Sequence, residues 1–157
     1  MSRVLAVVLF VAGIVLAAQE YAGPRPPQKD TVYLVHANNL VEAETSMARR
    51  KTTGADIIYV VPGERSLART PLASPTLIIE SARVDAESLR LFRLEVKDGH
   101  REIGFHYKSK GGAVPLRADI ARISGDLFQI EVLDSLSVGE YALSPDGAND
   151  VFCFEVF

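Results

Sequence analysis

The sequence predicts an all-β protein, a single immunoglobulin-like Greek-key β-sandwich of about seven strands. From residue 31 onward, apolar residues recur mostly at every second position, and turn residues interrupt them at short intervals. Near the end of the chain, Tyr141 follows one predicted strand and begins another, which is typical of a sandwich crossover. The chain has 157 residues, and without its apolar leader about 140 remain, which is enough for one domain.

The first 18 residues predict a cleaved secretory signal peptide. Arg3 gives a positively charged start, residues 4–16 form an apolar run, and Ala17 and Ala18 provide small residues for cleavage. The run is shorter than the roughly 20 residues that a membrane-spanning helix needs. An uncleaved N-terminal anchor stays open as an alternative. We expect a secreted or periplasmic protein with no stable membrane insertion after cleavage.

Residues 19–30 predict an extended, proline-rich tether that leads into a β-sandwich domain over residues 31–157. Pro24, Pro26 and Pro27 restrict the backbone and lack N–H donors, so neither a helix nor a sheet forms easily here.

Residues 40–51 admit two interpretations. Asn39 is a suitable cap for a helix that has Glu42 in its first turn and Arg49-Arg50-Lys51 in its last. The alternative is a strand that returns from a turn at Asn38-Asn39 and pairs with residues 31–37. Short apolar runs do not separate the two by periodicity alone.

The middle of the chain predicts strands and one short helical turn. Residues 57–61 are continuously apolar and end at Pro62-Gly63, and Thr76-Leu77-Ile78-Ile79 follows Pro75. Both segments predict strands buried on more than one side. A short helical turn is expected near residues 85–87.

The clearest hairpin turns at Asp98-Gly99, the residue pair that a type I′ turn prefers. This turn pairs Lys97 with His100 and places apolar residues of both strands on one face. The pairs expected on that face are Leu94 with Ile103 and Phe92 with Phe105. The same register sets Glu95 against Glu102, a repulsive pair that needs a neighbouring cation such as Arg93.

A second hairpin is predicted around a turn at residues 124–126, and a last strand ends the chain. The apolar residues that share one parity before and after the turn are Val114, Leu116, Ala118, Ile120, Phe128, Ile130 and Val132. In the last strand Phe152, Phe154 and Val156 face inward, so Cys153 lies on the opposite face. We expect an unpaired, partly covered thiol, with a bridge between two chains as the alternative.

Tyr141 lies in residues 136–143, where a crossover between sheets is expected. In Greek-key sandwiches such a tyrosine returns its hydroxyl to a nearby backbone group and fixes the connection between the two sheets. No acidic, basic or nucleophilic group is expected to act with it, so its predicted role is structural.

Several segments resemble a family of small exported bacterial proteins of unassigned function. They are Tyr33-Leu34-Val35-His36, Tyr59-Val60-Val61-Pro62-Gly63, Leu91-Phe92-Arg93-Leu94-Glu95-Val96, Gly139-Glu140-Tyr141-Ala142-Leu143-Ser144-Pro145 and Val151-Phe152-Cys153-Phe154. The resemblance covers most of the mature region. It implies an immunoglobulin-like β-sandwich and transfers no catalytic residue.

Composition and motifs argue against several functional classes. The net charge of −3 lacks the basic excess of a nucleic-acid binder, and one cysteine excludes both an internal disulfide framework and a cysteine-based zinc cluster. Zinc-helix, nucleophile-elbow and phosphate-loop motifs do not occur. His36, His100 and His106 are dispersed, and only four residues follow Cys153, too few for the usual blue-copper arrangement.

Two polar segments have both a functional and an ordinary interpretation. Residues 146–150 offer oxygen ligands for Ca²⁺, but they lack the twelve-residue loop, and a Ser-Pro-Asp-Gly turn explains them without a metal. Arg49-Arg50-Lys51 is suited to phosphate or an acidic polymer, but a solvated loop or helix end explains it as well.

The sequence therefore predicts a non-enzymatic binding module of the cell envelope or extracellular space, with no catalytic, cofactor-binding or metal-binding residue assigned. Loops at the sandwich ends or an exposed edge strand would bind an unknown protein or glycan. One alternative is a hydrolase or metal-dependent enzyme built from His36, His106, Glu102 and residues 146–150. Another is a structural subunit that assembles through an open β-edge. The oligomeric state is not predicted.

Overall fold

The computed structural model describes residues 21–106 and 112–157. The predicted all-β class is confirmed, because these residues form two antiparallel sheets, with one short 3₁₀ turn at Ala86–Ser88 and no α-helix. The strands are β1 (Val32–His36), β2 (Asn39–Glu42), β3 (Glu44–Met47), β4 (Arg49–Thr53), β5 (Asp56–Pro62), β6 (Arg69–Thr70), β7 (Thr76–Glu80), β8 (Arg90–Lys97), β9 (His100–His106), β10 (Ala118–Ser124), β11 (Leu127–Val132), β12 (Gly139–Ser144) and β13 (Asp150–Val156).

The prediction of about seven strands is wrong, because the described residues form thirteen. Part of the difference comes from residues 39–53, which break at Ala43 and Ala48 into β2, β3 and β4. Each break lets the chain leave one neighbouring strand and pair with another, so one extended segment contributes to both sheets.

The two sheets differ in shape. The first has the order β10-β11-β7-β1-β2 and is an open five-stranded layer. The second runs β3-β13-β12-β8-β9-β5-β4 and curls into a half-barrel, with the two-residue β6 pairing in parallel with β13. Its first and last strands, β3 and β4, are separated in the chain only by Ala48, so the curled sheet returns on itself.

Alternation along β13 divides the apolar residues between two cores. Phe152, Phe154 and Val156 pack in the main core between the two sheets. Val151 and Cys153 point the other way, into a smaller core inside the curl of the half-barrel. The predicted inward direction of the three residues is confirmed, and the opposite face of β13 is also buried.

The hairpin at Asp98-Gly99 is confirmed. Lys97 pairs with His100 and Glu95 with Glu102, and both turn residues have positive φ, 48° at Asp98 and 84° at Gly99, as a type I′ turn requires. On the apolar face the rings of Phe92 and Phe105 meet edge to face, with their centroids 5.7 Å apart.

Arg93 does not relieve the repulsion between Glu95 and Glu102, although the sequence predicts it to do so. Glu102 contacts His100 at 2.9 Å and Lys97 at 3.6 Å. Arg93 instead donates hydrogen bonds to the Ser137 hydroxyl and to a backbone carbonyl. The turn brings Lys97 and the hydrogen-bonding ring of His100 next to the acidic pair, so the prediction for Arg93 is wrong.

Residues 40–51 are strands, and the helix alternative is wrong. β2 returns from the turn at Asn38 and pairs with β1, setting Tyr33 opposite Glu42 and His36 opposite Asn39. β2 pairs with β1, and β4 pairs with β5. These hydrogen bonds satisfy the backbone groups that a helix would otherwise satisfy, so the capping residues do not decide the structure.

The remaining strand predictions have mixed outcomes. β7 is buried as expected, but residues 57–60 of β5 are only half-buried, because β5 covers the small core with one face only. The second hairpin forms between β10 and β11, although its first strand begins at Ala118. The predicted helical turn appears as the 3₁₀ turn at Ala86–Ser88.

The tyrosine corner is confirmed. Tyr141 is buried in the main core, and its hydroxyl donates a hydrogen bond of 2.7 Å to the backbone carbonyl of Ser137. The ring stacks on Phe154 with a centroid separation of 5.7 Å. Tyr141 thereby ties the start of β12 to the connection that precedes it.

The predicted signal peptide lies outside the described residues. Of the predicted tether, residues 21–30 contain no strand. The ring of Tyr21 packs against the buried cluster that Tyr33 forms on the outer face of the five-stranded sheet. Among the described residues, the structure contains no helix with the length and apolar character to span a membrane.

Asp30 fixes the start of the domain. Its carboxylate accepts backbone hydrogen bonds of 2.8, 2.7 and 2.9 Å from Ala82, Arg83 and Val84. Burial raises the pKa of this carboxyl, but hydrogen bonds from the Arg83, Val84 and Ala82 N–H groups and the Arg83 guanidinium outweigh it. The pKa falls from 3.8 to about 2.

Replacing the carboxylate should therefore reduce stability in a pH-dependent way. Asp30→Asn keeps a residue that tolerates the positive φ of 59° but removes the charge, and we expect it to lower the unfolding free energy by about 1–2 kcal/mol near neutral pH. Because the folded pKa is depressed, this difference should be constant above about pH 5 and disappear as the pH falls from about 4 towards 2. Urea unfolding across that range measures it, with the exposed turn substitution Asp98→Asn as control. A difference that persists at pH 2 would contradict this role of Asp30.

Candidate functional site

The residues proposed for an enzyme lie in three parts of the fold: His36 on β1, Glu102 and His106 on β9, and residues 146–150 between β12 and β13 and at the start of β13. The ring of His36 on β1 contacts the Thr70 hydroxyl at 2.9 Å, and His100 contacts Glu102 at 2.9 Å beside the β8–β9 turn. Residues 146–150 form the β12–β13 turn, next to the opposite end of β8, because Ser144 pairs with Arg90. The β12–β13 turn and the β8–β9 turn are therefore separated by the length of the eight-residue strand β8, roughly 20–25 Å. The side chain of His106 lies outside the described part.

The described residues contain no group of three or more His, Cys, Asp or Glu side chains placed to hold a metal ion. In the β12–β13 turn, Asp146 contacts Arg90 at 3.8 Å, and Gly147 has a φ of 75°, as expected for a tight turn. Asp146 and Gly147 are the last two residues of the Ser-Pro-Asp-Gly sequence, residues 144–147, which turns the chain from β12 towards β13.

Cys153 is completely buried inside the half-barrel and is free. It is therefore more enclosed than the partly covered thiol that the sequence predicts. Burial raises the pKa of the thiol to about 12, Arg101 lowers it in part, and Glu44 and Glu140 raise it further. Neither thiolate chemistry nor a bridge to another chain is accessible to Cys153 in the folded protein.

Arg101 on β9 is the largest buried polar side chain, with 0% exposure, and it crosses the interior of the half-barrel. Its Nη2 lies 2.6 Å from Oε1 of Glu44 on β3, and its Nη1 lies 3.5 Å from Oε2 of Glu140 on β12. Because β9 is not a neighbour of β3 in the sheet, this contact joins strands across the curl.

The remaining donors of Arg101 are also satisfied. Nε and Nη2 donate to the carbonyls of Gly63 and Pro62 at 3.0 and 2.6 Å, and Nη1 donates to the Ser66 hydroxyl at 2.6 Å. The Ser66 hydroxyl in turn donates to Glu140 at 2.5 Å. Every polar group of this cluster therefore has a partner, which indicates a structural role.

This cluster is not predicted from the sequence, although the sequence contains one signal for it. Arg101 has the same parity as Ile103 and Phe105, so the hairpin register already directs it inward. Its partners are far apart in the chain, with Glu44 lying 57 residues earlier. Only the sheet topology brings these residues together.

Strand β4 is an exposed, positively charged strand at one edge of the half-barrel. It pairs with β5 on one side, and in the described part of the chain no strand pairs with its other edge. All five of its residues are exposed, including the consecutive cations Arg49, Arg50 and Lys51. We call this strand the basic edge.

The basic edge differs from the other cationic positions of the domain. Elsewhere among residues 21–106 and 112–157, each arginine or lysine contacts an acidic side chain or donates a side-chain hydrogen bond. Arg49, Arg50 and Lys51 have neither kind of contact with the described residues. They form a positive surface without ion pairs to the described residues, on a protein whose net charge is −3.

A small apolar cavity lies next to the basic edge. It has a volume of about 50 Å³ and occupies one end of the half-barrel interior. The larger apolar side chains around it are Tyr59, Phe92, Leu94, Ile103, Phe105 and Val151. The exposed residues Ala148 and Asn149 of the β12–β13 turn also line it and mark its mouth.

Comparison with protein-family models, with curated proteins and with solved structures finds no match to this chain.

The burial of Cys153 predicts that the native thiol is inert. At pH 8, a thiol-reactive aromatic disulfide should label less than a tenth of the native protein in an hour and should label it fully in guanidinium chloride. An exposed cysteine introduced as Ala121→Cys is the matched control and should react within seconds to minutes. Rapid labelling of wild-type protein under native conditions would contradict the enclosed position.

Proposed function

We propose that this chain is an exported, non-enzymatic binding module of the cell envelope or extracellular space, and that the basic edge binds an extended acidic segment of a partner protein. The observation that carries the proposal is the presence of three consecutive, exposed cations, without ion pairs to the described residues, on an open strand edge. Both parts of such a surface, the free backbone groups and the charges, are available to a partner.

Backbone pairing would provide the first part of the interaction. An extended peptide that aligns with β4 satisfies the N–H and C=O groups of that edge, which is the recognised mode of β-strand addition. The five residues of β4 are about the length of an average strand. An added segment of similar length would find a partner for each outward-facing backbone group.

Charge would provide the selectivity. Charged residues on an edge strand discourage pairing with a second copy of the same edge, because like charges then meet directly. With an acidic strand these contacts become attractive. The same cations therefore favour an acidic partner and disfavour pairing with β4 of a second copy. The solvated-surface explanation of Arg49-Arg50-Lys51 accounts for the exposure but not for the lack of ion pairs with the described residues, although Asp56 and Glu102 lie on the same sheet face as Lys51 and Arg49.

Location and family belong to the same proposal. The leader in residues 1–18 supports export to the periplasm or the extracellular space. The corner formed by Tyr141 and Ser137 supports an immunoglobulin-like relationship and the resemblance to the family of small exported bacterial proteins.

Charge reversal on the basic edge should remove binding. The probe is a fluorescent ten-residue peptide of alternating Glu and Thr, measured by fluorescence anisotropy at low ionic strength with the full chain. Arg49→Glu/Lys51→Glu should weaken binding at least tenfold, because attraction becomes repulsion. In the wild type, affinity should fall as salt is added.

The matched control is Arg25→Glu/Lys29→Glu, which changes the net charge by the same amount at exposed positions outside β4. This variant should bind within about threefold of wild type. Equal loss in both variants would show that net charge alone attracts the peptide and would contradict a site at β4. Absence of binding to the wild type would also contradict the proposal.

A further inference from the structure

We infer that the partner segment presents an apolar side chain between two acidic ones, and that this apolar side chain enters the cavity at the end of the half-barrel. The inference rests on the proposed function and specifies the pattern of the segment. Its basis is the position of the cavity relative to the two faces of β4.

The register of β4 assigns its residues to faces. Arg50 pairs with Tyr59, a residue that lines the cavity, so the two side chains lie on the cavity face of the sheet. Arg49 and Lys51 pair with Val60 and Ile58, which lie on the opposite face. The basic edge therefore has one cation towards the cavity and two away from it.

The mouth of the cavity is next to the free edge of β4. Ala48, which immediately precedes β4, lines the cavity and donates a backbone hydrogen bond of 2.8 Å to the carbonyl of Asn149. Asn149 and the neighbouring Ala148 form the exposed rim. A strand added along β4 would start beside this rim.

Alternation along the added strand sets the pattern. Successive side chains point to opposite faces, so a residue on the cavity face has both neighbours on the face of Arg49 and Lys51. Two acidic neighbours complement these two cations. The residue between them is directed towards the cavity, where an apolar group is preferred.

The size of the cavity limits the apolar group. A volume of about 50 Å³ is less than two water molecules occupy in the liquid, roughly 30 Å³ each. Such a space takes the end of a Leu or Ile side chain and not a whole aromatic ring. Aromatic and aliphatic walls leave few polar partners for water, so an apolar occupant is favoured over water.

The test compares three peptides of equal charge on wild-type protein. The first carries Glu-Leu-Glu at the centre of an extended Thr-rich sequence, the second carries Glu-Thr-Glu, and the third has Leu moved by one position. We expect the first to bind at least fivefold more tightly than the other two, because only it directs Leu to the cavity face while Glu meets Arg49 and Lys51.

A blocked mouth should remove this preference. Ala148→Trp places a large side chain at the exposed rim, and Ala121→Trp is the matched control on exposed β10. In Ala148→Trp the Glu-Leu-Glu and Glu-Thr-Glu peptides should bind equally, at the wild-type affinity for Glu-Thr-Glu. Ala121→Trp should keep the preference, and circular dichroism with thermal unfolding should confirm that both variants are folded.

Several outcomes would overturn the inference, and they differ from failure of the proposed function. Equal binding of the three peptides to wild type, or a Leu preference that persists in Ala148→Trp, would overturn the cavity assignment while leaving the acidic partner intact. Failure of every peptide to bind would overturn both proposals.

Discussion

The architecture of the half-barrel depends on neutralising one buried positive charge. Arg101 has no exposed surface, and removing a guanidinium from water costs several kcal/mol unless acidic groups and hydrogen bonds compensate. Glu44, Glu140 and the backbone carbonyls of residues 62 and 63 provide that compensation from three directions. The strands that carry these groups must therefore curl around Arg101. A flat sheet would leave β3 too far from β9.

The curl in turn determines what the surface offers. With Glu44 held by Arg101, β3 is fixed against β13, and the chain continues through Ala48 into β4 on the other side of the same barrel. Beyond this crossing, β4 pairs with β5 alone and keeps its second edge open to solvent. Next to β4, the apolar residues of the interior leave a small cavity. The polar cluster, the basic edge and the cavity are thus consequences of one closure.

Local chemistry explains which parts of this arrangement the sequence predicts. The Asp98-Gly99 turn and the Tyr141 corner are encoded within a few residues, so both are recognised without knowledge of the rest of the chain. The structure of residues 40–51 is not encoded locally. Their capping residues also suit a helix, and only pairing with β1 and β5 favours strands. The hairpin register directs Arg101 inward, but its partners Glu44 and Glu140 follow only from the sheet topology. Arg49-Arg50-Lys51 is visible as a charge run, but its position on an open edge follows only from the strand order.

A thermodynamic cycle on the central cluster tests this account most directly. Urea unfolding would be measured for wild type, Arg101→Met, Glu44→Gln/Glu140→Gln and the combined triple variant. Arg101→Met should lower the unfolding free energy by about 3–5 kcal/mol, because it leaves two carboxylates inside the barrel without their cation. The triple variant should be more stable than Arg101→Met, since its amides carry no charge that needs compensation. A loss below about 1 kcal/mol for Arg101→Met, or strictly additive effects in the triple variant, would contradict the dependence of the half-barrel on this charge.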